Sequence, residues 1–391
     1  MFFSSDITLL CRVVDNYGDI GFGYRLARAL QALRPDMKLR IVTDNIASFS
    51  MLAPGLDAHT VLQQYNGWFV YDWNAADVCT ASFSAEQPRT ILECFQCGYP
   101  DWLETLLFKT KCRDCVHVIN IDYMTAEQYA DDFHCLASLT RSVSVKKVNF
   151  MPGFTACTGG LILDGPFASD IPSAFACEHA DSTVQALLAG TPQNFNILVF
   201  SYERDFMPVV RAFALFEQNR KRSELLFRLR VFVAEGRGKK SFMEAWAGAG
   251  KPFTVTELPF LSQTEWDDLL CSMSFCFVRG EDSLSRACLS GIPFVWHAYP
   301  QDNEYQVVKV QALLDRIKPF FVDTDAALIE RYWRSYNVSL PGETEYGQEK
   351  LLFELLSRIH ELRCGFSSFA SMLRRNGDFA QHLISYLDGL I

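Results

Sequence analysis

Residues 7–33, ITLLCRVVDNYGDIGFGYRLARALQAL, decide the fold. ITLLCRVV (7–14) is an apolar run of strand length, the pattern of a strand buried on both faces. The loop VDNYGDIGFG follows, with Gly18, Gly21 and Gly23 allowing a compact turn. GYRLARALQALRP then sets Leu26, Leu30 and Leu33 on one helical stripe, and Pro35 ends it. Strand, glycine-bearing loop and helix form the opening unit of a Rossmann-like half. The loop lacks the G-x-G-x-x-G order of a dinucleotide site. It also carries Asp15 and Asp19 where that site would meet a pyrophosphate, and carboxylates repel phosphate. A carboxylate pair there suits a cation, or a proton to be removed. The plainer alternative makes Asp19 a helix cap and Asp15 a turn residue.

Outward from this unit, KLRIVTD (38–44), ADVCTASF, RTILECF (89–95) and VHVINIDY (116–123) are predicted strands, with helical stretches between them. MPGFTACTGG and GPFASDIPSAF, within residues 150–190, break the rhythm and read as a domain end and linker. The alternation restarts at FNILVFSY (195–202) and continues through LFRLRVFVAEG, FTVTELPF, MSFCFVRG and PFVWHAYP (293–300). Alternating strands and helices predict parallel sheets with right-handed crossovers. A chain of 391 residues exceeds one core of ~250–300 residues, so two domains are expected. They are placed at 1–170 and 185–362, with a helix at about 365–391 packing back onto the first. The fold class expected is α/β, two Rossmann-like domains facing a central cleft.

The formal net charge of −10 argues against general nucleic-acid binding and suits a basic partner. No apolar run reaches the ~20 residues of a membrane span, and the N-terminus shows no signal-peptide pattern. Thirteen scattered cysteines fit a reducing cytoplasm. Cys94-x2-Cys97 and Cys112-x2-Cys115 imitate a zinc-ribbon spacing. However, Cys94 ends an apolar strand pattern and DWLETLLFKTK reads as a helix, so ordinary thiols are expected. Asp323-Thr324-Asp325 is the sole Asp-x-Asp candidate, and it reads as a loop and helix cap. No metal ion is expected.

A second constellation lies in RGEDSLSRACLSGIPFVWHAYPQ (279–301). A strand runs into Arg279-Gly280-Glu281-Asp282-Ser283, where a helix begins. Backbone N–H groups and the helix dipole attract phosphate there, and Arg279 adds a charged fork. Glu281 is a candidate acceptor for ribose hydroxyls, and Asp282-Ser283 are expected to cap the helix. In the plainer alternative Arg279 merely pairs with Glu281. Phe200, Ser201, Tyr202, Phe260, Gln263, Trp266 and Tyr299 all follow strands, where a base could stack.

Together these segments resemble the protein-arginine rhamnosyltransferases that modify bacterial translation elongation factor P. CRVVDNYGDIGFGYRLARAL is similar to that family's opening, and FVRGEDSLSRACLSGIPFVWHAYPQ to its donor-site signature. ILECF, INIDYMTAEQY, FMPGFTACTGGLI and PFLSQTEWDDLL extend the match in order. The resemblance implies a GT-B glycosyltransferase that binds dTDP-β-L-rhamnose mostly in the C-terminal domain. Its implied acceptor is one arginine of elongation factor P, docked on the N-terminal domain, and the anomeric centre inverts. It implies Asp19 as catalytic base and Asp15 as a second essential carboxylate. Donor contacts are implied for Asn16, Tyr17, Gly18, Phe200, Tyr202, Phe260 and Gln263. Arg279, Glu281, Asp282 and Ser283 would form the ribose and diphosphate site, joined by Tyr299. No cofactor, nucleic acid or membrane is implied.

Overall fold

The computed structural model describes residues 5–14, 17–110, 115–168, 181–189, 194–223, 227–338 and 345–390. The chain forms two compact units. One is Met1–Asp164 with Asn376–Ile391, and the other is Gly165–Arg375.

The first unit runs β1 (Asp6–Cys11), α1 (Gly18–Leu33), β2 (Lys38–Thr43), α2 (Ile46–Leu52), β3 (Leu62–Tyr65) and β4 (Trp68–Asp72). It continues through α3 (Ala76–Ala85), β5 (Thr90–Cys94), α4 (Asp101–Phe108), β6 (Val116–Ile121), α5 (Tyr129–Phe133), β7 (Ala137–Ser138) and β8 (Val145–Asn149). The sheet order is β3-β4-β2-β1-β5-β6-β8-β7. The short outer strands β3 and β7 are antiparallel to their neighbours, and the rest are parallel. Taken in chain order, the six parallel strands lie 3-2-1-4-5-6, the Rossmann arrangement, with its switch point between β1 and β5.

β1 is covered on both sides, because successive side chains alternate between faces. Leu9 and Cys11 join Leu26, Leu30, Phe379 and Leu383 in one core cluster. Leu10 joins Phe83, Trp102 and Leu103 in the other. Burying each leucine contributes roughly 1.5–3 kcal/mol.

The second unit runs α6 (Ser182–Leu188), β9 (Asn194–Val199), α7 (Met207–Arg222), β10 (Arg228–Val233), α8 (Lys239–Gly248), β11 (Thr254–Glu257) and α9 (Gln263–Cys271). Then come β12 (Phe275–Arg279), α10 (Glu281–Ser290), β13 (Phe294–His297), α11 (Tyr305–Ile317), α12 (Asp323–Asn337), α13 (Glu345–Ser357) and α14 (Ile359–Arg375). Its sheet, β11-β10-β9-β12-β13, is parallel throughout and again reads 3-2-1-4-5. The chain returns to the first unit with α15 (Phe379–Asp388).

The structure differs from the sequence reading in several places. ADVCTASF is helix α3, not a strand, and Cys79 and Phe83, four residues apart, form its buried face. The helix expected over about 365–391 is two helices. Phe366, Phe369 and Leu373 of α14 are buried, while α15 begins anew where Asp378 accepts a hydrogen bond from the Gln381 N–H (2.7 Å). The first part of the expected linker is packed. Met151, Phe154, Leu161 and Ile162 are buried, and the Leu163 N–H donates to Asp378 (2.6 Å). Residues 169–180, the middle of that stretch, lie outside the described residues. Asp323 and Asp325 belong to the first turn of α12, not a loop. Among the described residues, no helix is long and apolar enough to cross a membrane.

Candidate active site

In the first unit, β1 ends at Cys11 and α1 begins at Gly18, earlier than the glycine-rich sequence suggested. Asp19 is therefore the second residue of the helix and not its cap, which is Tyr17. Its side chain is nearly inaccessible, at 2% exposed. One carboxylate oxygen accepts the Val14 N–H (2.7 Å), and the other accepts the hydroxyl of Tyr123 (3.1 Å). Asp19 thus lies at the positive end of the α1 dipole. Asp44, following β2, ties down the same loop by accepting the Val13 N–H (2.8 Å). Asp15 and Asn16 lie outside the described residues.

Tyr123 follows β6, and its ring stacks on Phe95 with centroids 4.2 Å apart. Phe95 follows β5 and also meets Phe22 of α1 at 5.3 Å. Phe95 has φ +59 and Gln96 φ +51, a left-handed backbone that side chains adopt at a cost. Strands on both sides of the switch point thus fix the Asp19 carboxylate. Sequence reasoning missed Tyr123 and Phe95 as site residues, although both end predicted strands.

In the second unit, the switch point lies between β9 and β12. The carboxyl ends of these strands bring Phe200 and Tyr202 to Arg279. The guanidinium carbon of Arg279 lies 4.5 Å from the Phe200 ring centroid and 4.8 Å from that of Tyr202. Its Nε is buried without a hydrogen-bond partner. Gly236, after β10, has φ +147, and a Cβ there would stand 3.1 Å from Arg279 Nη2. Phe200 meets Trp266 of α9 edge-on at 5.0 Å, and the Trp266 indole N–H is a second buried donor without a partner. Two orphaned donors in one place cost ~1–3 kcal/mol each until a ligand supplies acceptors.

Tyr299 meets Tyr202 edge-on at 5.3 Å and is 50% exposed. Phe260 and Gln263 stand near the start of α9, with Phe260 exposed and Gln263 buried. Glu281, Asp282 and Ser283 form the first turn of α10 and are half-buried. The expected Asp282-Ser283 cap is not formed. Gly280 is the N-cap, with φ +68, because the turn out of β12 needs a backbone that glycine adopts without strain.

Behind the aromatic residues lies a buried polar network that the sequence did not announce. Ser201 Oγ is 2.7 Å from His297 Nδ1 and 2.9 Å from the Tyr336 hydroxyl. Burial, aided by Arg204 and Arg279, pushes the His297 pKa down to about 3, so the ring is neutral. Asn337 accepts the Ala298 N–H (2.9 Å) and steadies the segment that carries Tyr299.

Among the described residues, no group of three or more His, Cys, Asp or Glu side chains is placed to hold a metal ion. Cys94 is buried at the end of β5 and Cys97 is partly buried, and burial raises both thiol pKa values. Cys112 lies outside the described residues.

Two Rossmann-like sheets in one chain, one with a carboxylate at its switch point and one with an arginine, give the α/β architecture of the GT-B kind. The chain belongs to the family described as elongation-factor P (EF-P) rhamnosyltransferase EarP, whose pattern matches residues 7–388. It is 32% identical over 356 residues to a protein-arginine rhamnosyltransferase of Pseudomonas putida, covering 84% of this chain and 86% of that one. It is 30% identical over 367 residues to one of Shewanella oneidensis, covering 85% and 90%. A solved structure described as the structural basis for EarP-mediated arginine glycosylation of translation elongation factor EF-P shares the fold. Its TM-score is 0.60 at 22% identity, over 98% of this chain and 100% of that one.

Proposed function

We propose that this enzyme moves L-rhamnose from dTDP-β-L-rhamnose to an arginine side chain of translation elongation factor P, inverting the anomeric centre, with Asp19 as general base. The observation that carries the proposal is the Asp19 carboxylate, buried at a helix start and fixed through both oxygens. A guanidinium has a pKa above ~12 and a delocalised lone pair, so it attacks poorly by itself. A carboxylate hydrogen-bonded to it localises the charge and accepts the proton. The guanidinium nitrogen then bonds to C1 of rhamnose as the bond from C1 to the diphosphate oxygen breaks. The proton passes to Asp19, and dTDP leaves with the bonding pair in a single displacement.

Arg279 and the first turn of α10, with Glu281, Asp282 and Ser283, are the groups we assign to the diphosphate and ribose. The orphaned donors Arg279 Nε and Trp266 Nε1 favour a ligand rich in acceptor oxygens. Phe200, Tyr202, Phe260, Gln263 and Tyr299 are assigned to the remainder of the donor, and Tyr17 and Gly18 to its sugar end. Asp15 is assigned as a second carboxylate for the guanidinium, and Asn16 as a donor contact. The reaction needs no cofactor in this scheme, and no step is routed through a metal ion. Cytoplasmic action follows from an acceptor that belongs to translation.

The test is the intact mass of elongation factor P after incubation with the enzyme and dTDP-rhamnose. The expected result is the gain of one deoxyhexose unit on one arginine. An unchanged mass, with both substrates confirmed intact, overturns the proposal.

A further inference from the structure

Beyond the carboxyl ends of β5, β6 and β8 the first unit contains a cavity of about 710 Å³ that no step above uses. This is within the ~300–1,000 Å³ range of small-ligand pockets. β6 and β8 pair with Asn120 opposite Asn149, and both residues line the cavity. Asn120 is 2% exposed, and its Nδ2 donates to Asn149 Oδ1 (3.0 Å). Its Oδ1 is buried with no partner. If the amide were turned over, the orphan would be a donor instead, since the two ends of an amide are assigned from their partners. A peptide backbone satisfies either case, because it offers an N–H and a C=O at every residue.

The other walls suit the same occupant. Phe133 and Leu136 line the cavity while 46% and 48% exposed, so apolar surface faces the opening. Across from them Gln96 donates to Asp122 (2.8 Å), which also accepts the Tyr123 N–H (2.8 Å). Asp122 lines the cavity, and the next residue, Tyr123, holds Asp19. The cavity wall is thus one residue along the chain from the group that holds the proposed base.

We propose that this cavity takes the peptide segment flanking the modified arginine of the acceptor protein. An apolar side chain of that segment packs on Phe133 and Leu136, and its backbone bonds to Asn120. This rests on the reading of Asp19 given above. It adds a site that selects one arginine by its neighbours, whereas Asp19 sees only a guanidinium.

The experiment compares Leu136→Glu with Leu62→Glu, a control on the opposite edge strand of the same sheet. Both side chains are partly exposed, so both variants are expected to fold, which thermal unfolding checks. Leu136→Glu is expected to raise the KM for elongation factor P by ~10-fold, the scale of one apolar anchor, with the KM for dTDP-rhamnose unchanged. Leu62→Glu is expected to change neither, and Leu136→Met to restore the acceptor KM. An acceptor KM unchanged in Leu136→Glu, in an enzyme that still transfers rhamnose, overturns the cavity assignment and leaves the role of Asp19 standing. A change from dimer to monomer in Leu136→Glu without a change in KM also overturns it, since the face would then pair two copies of this chain. No transfer by the unaltered enzyme removes the reading of Asp19 and this proposal with it.

Discussion

The two units share a strand order but treat charge at the switch point in opposite ways. In the first, the helix after the first strand starts with its own buried carboxylate, Asp19. The positive helix end thus meets a negative side chain of the protein itself. In the second, the strand beside the switch ends in Arg279, and Gly280 caps a helix whose half-buried first turn carries Glu281 and Asp282. One strand order thus carries a buried carboxylate at one switch point and an arginine at the other, and a few residues in the strand-to-helix turn decide which.

The most severe way to break this contrast is Asp19→Asn, which keeps size and loses the proposed base. Transfer is expected to fall ~10²–10⁴-fold while calorimetric affinity for dTDP stays the same. Weakened dTDP binding would mean that Asp19 serves the nucleotide and not the acceptor alone. Next is Arg279→Ala, expected to weaken dTDP binding ~10–100-fold, the loss of one or two charge-assisted hydrogen bonds. Arg279→Lys should recover only part, because an ammonium has no planar fork to lie between Phe200 and Tyr202. Tyr123→Phe keeps the stack on Phe95 and removes the bond to Asp19. Turnover is expected to drop ~10-fold at unchanged donor KM, as one hydrogen bond to a charged group predicts. A donor KM that rose instead would move Tyr123 out of the base site.

Smallest near neutral pH is the effect of His297. Its folded pKa of about 3 lies below the ordinary 6.5, so the unfolded chain binds the extra proton between those values. This contribution to stability is intact above pH 6.5 and declines as pH falls toward 3. In denaturant titrations, His297→Gln should flatten that decline. An identical slope in both proteins would place the acid sensitivity elsewhere.

Much of this contrast was legible in the sequence. β1, β9 and β12 are rich in apolar residues, and the residues at or just after their carboxyl ends are those described at the two switch points. The carboxylate of Asp19 and the arginine of Arg279 stood out because each charge sits at a strand-to-helix turn. Other features depend on contacts between distant residues. Tyr123 reaches Asp19 across 104 positions, and Ser201 reaches Tyr336 across 135. Local signals also misled. In ADVCTASF the apolar and β-branched residues suggested a strand, yet only Cys79 and Phe83 turn inward, at helical spacing. Asp282-Ser283 has the composition of a cap, but the left-handed turn at Gly280 takes that position first.

The return of α15 to the first unit has a consequence for synthesis on the ribosome. Phe379, Leu383 and Leu387 share a core cluster with Leu26 and Leu30 of α1, the helix that carries Asp19. The second unit, Gly165–Arg375, is translated in full before those residues exist. Domains generally fold as they emerge, the N-terminal one first. Here that order is reversed for the last step: the half whose translation begins first is the half whose core closes last, so a nascent chain halted before residue 379 carries α1 with one face uncovered.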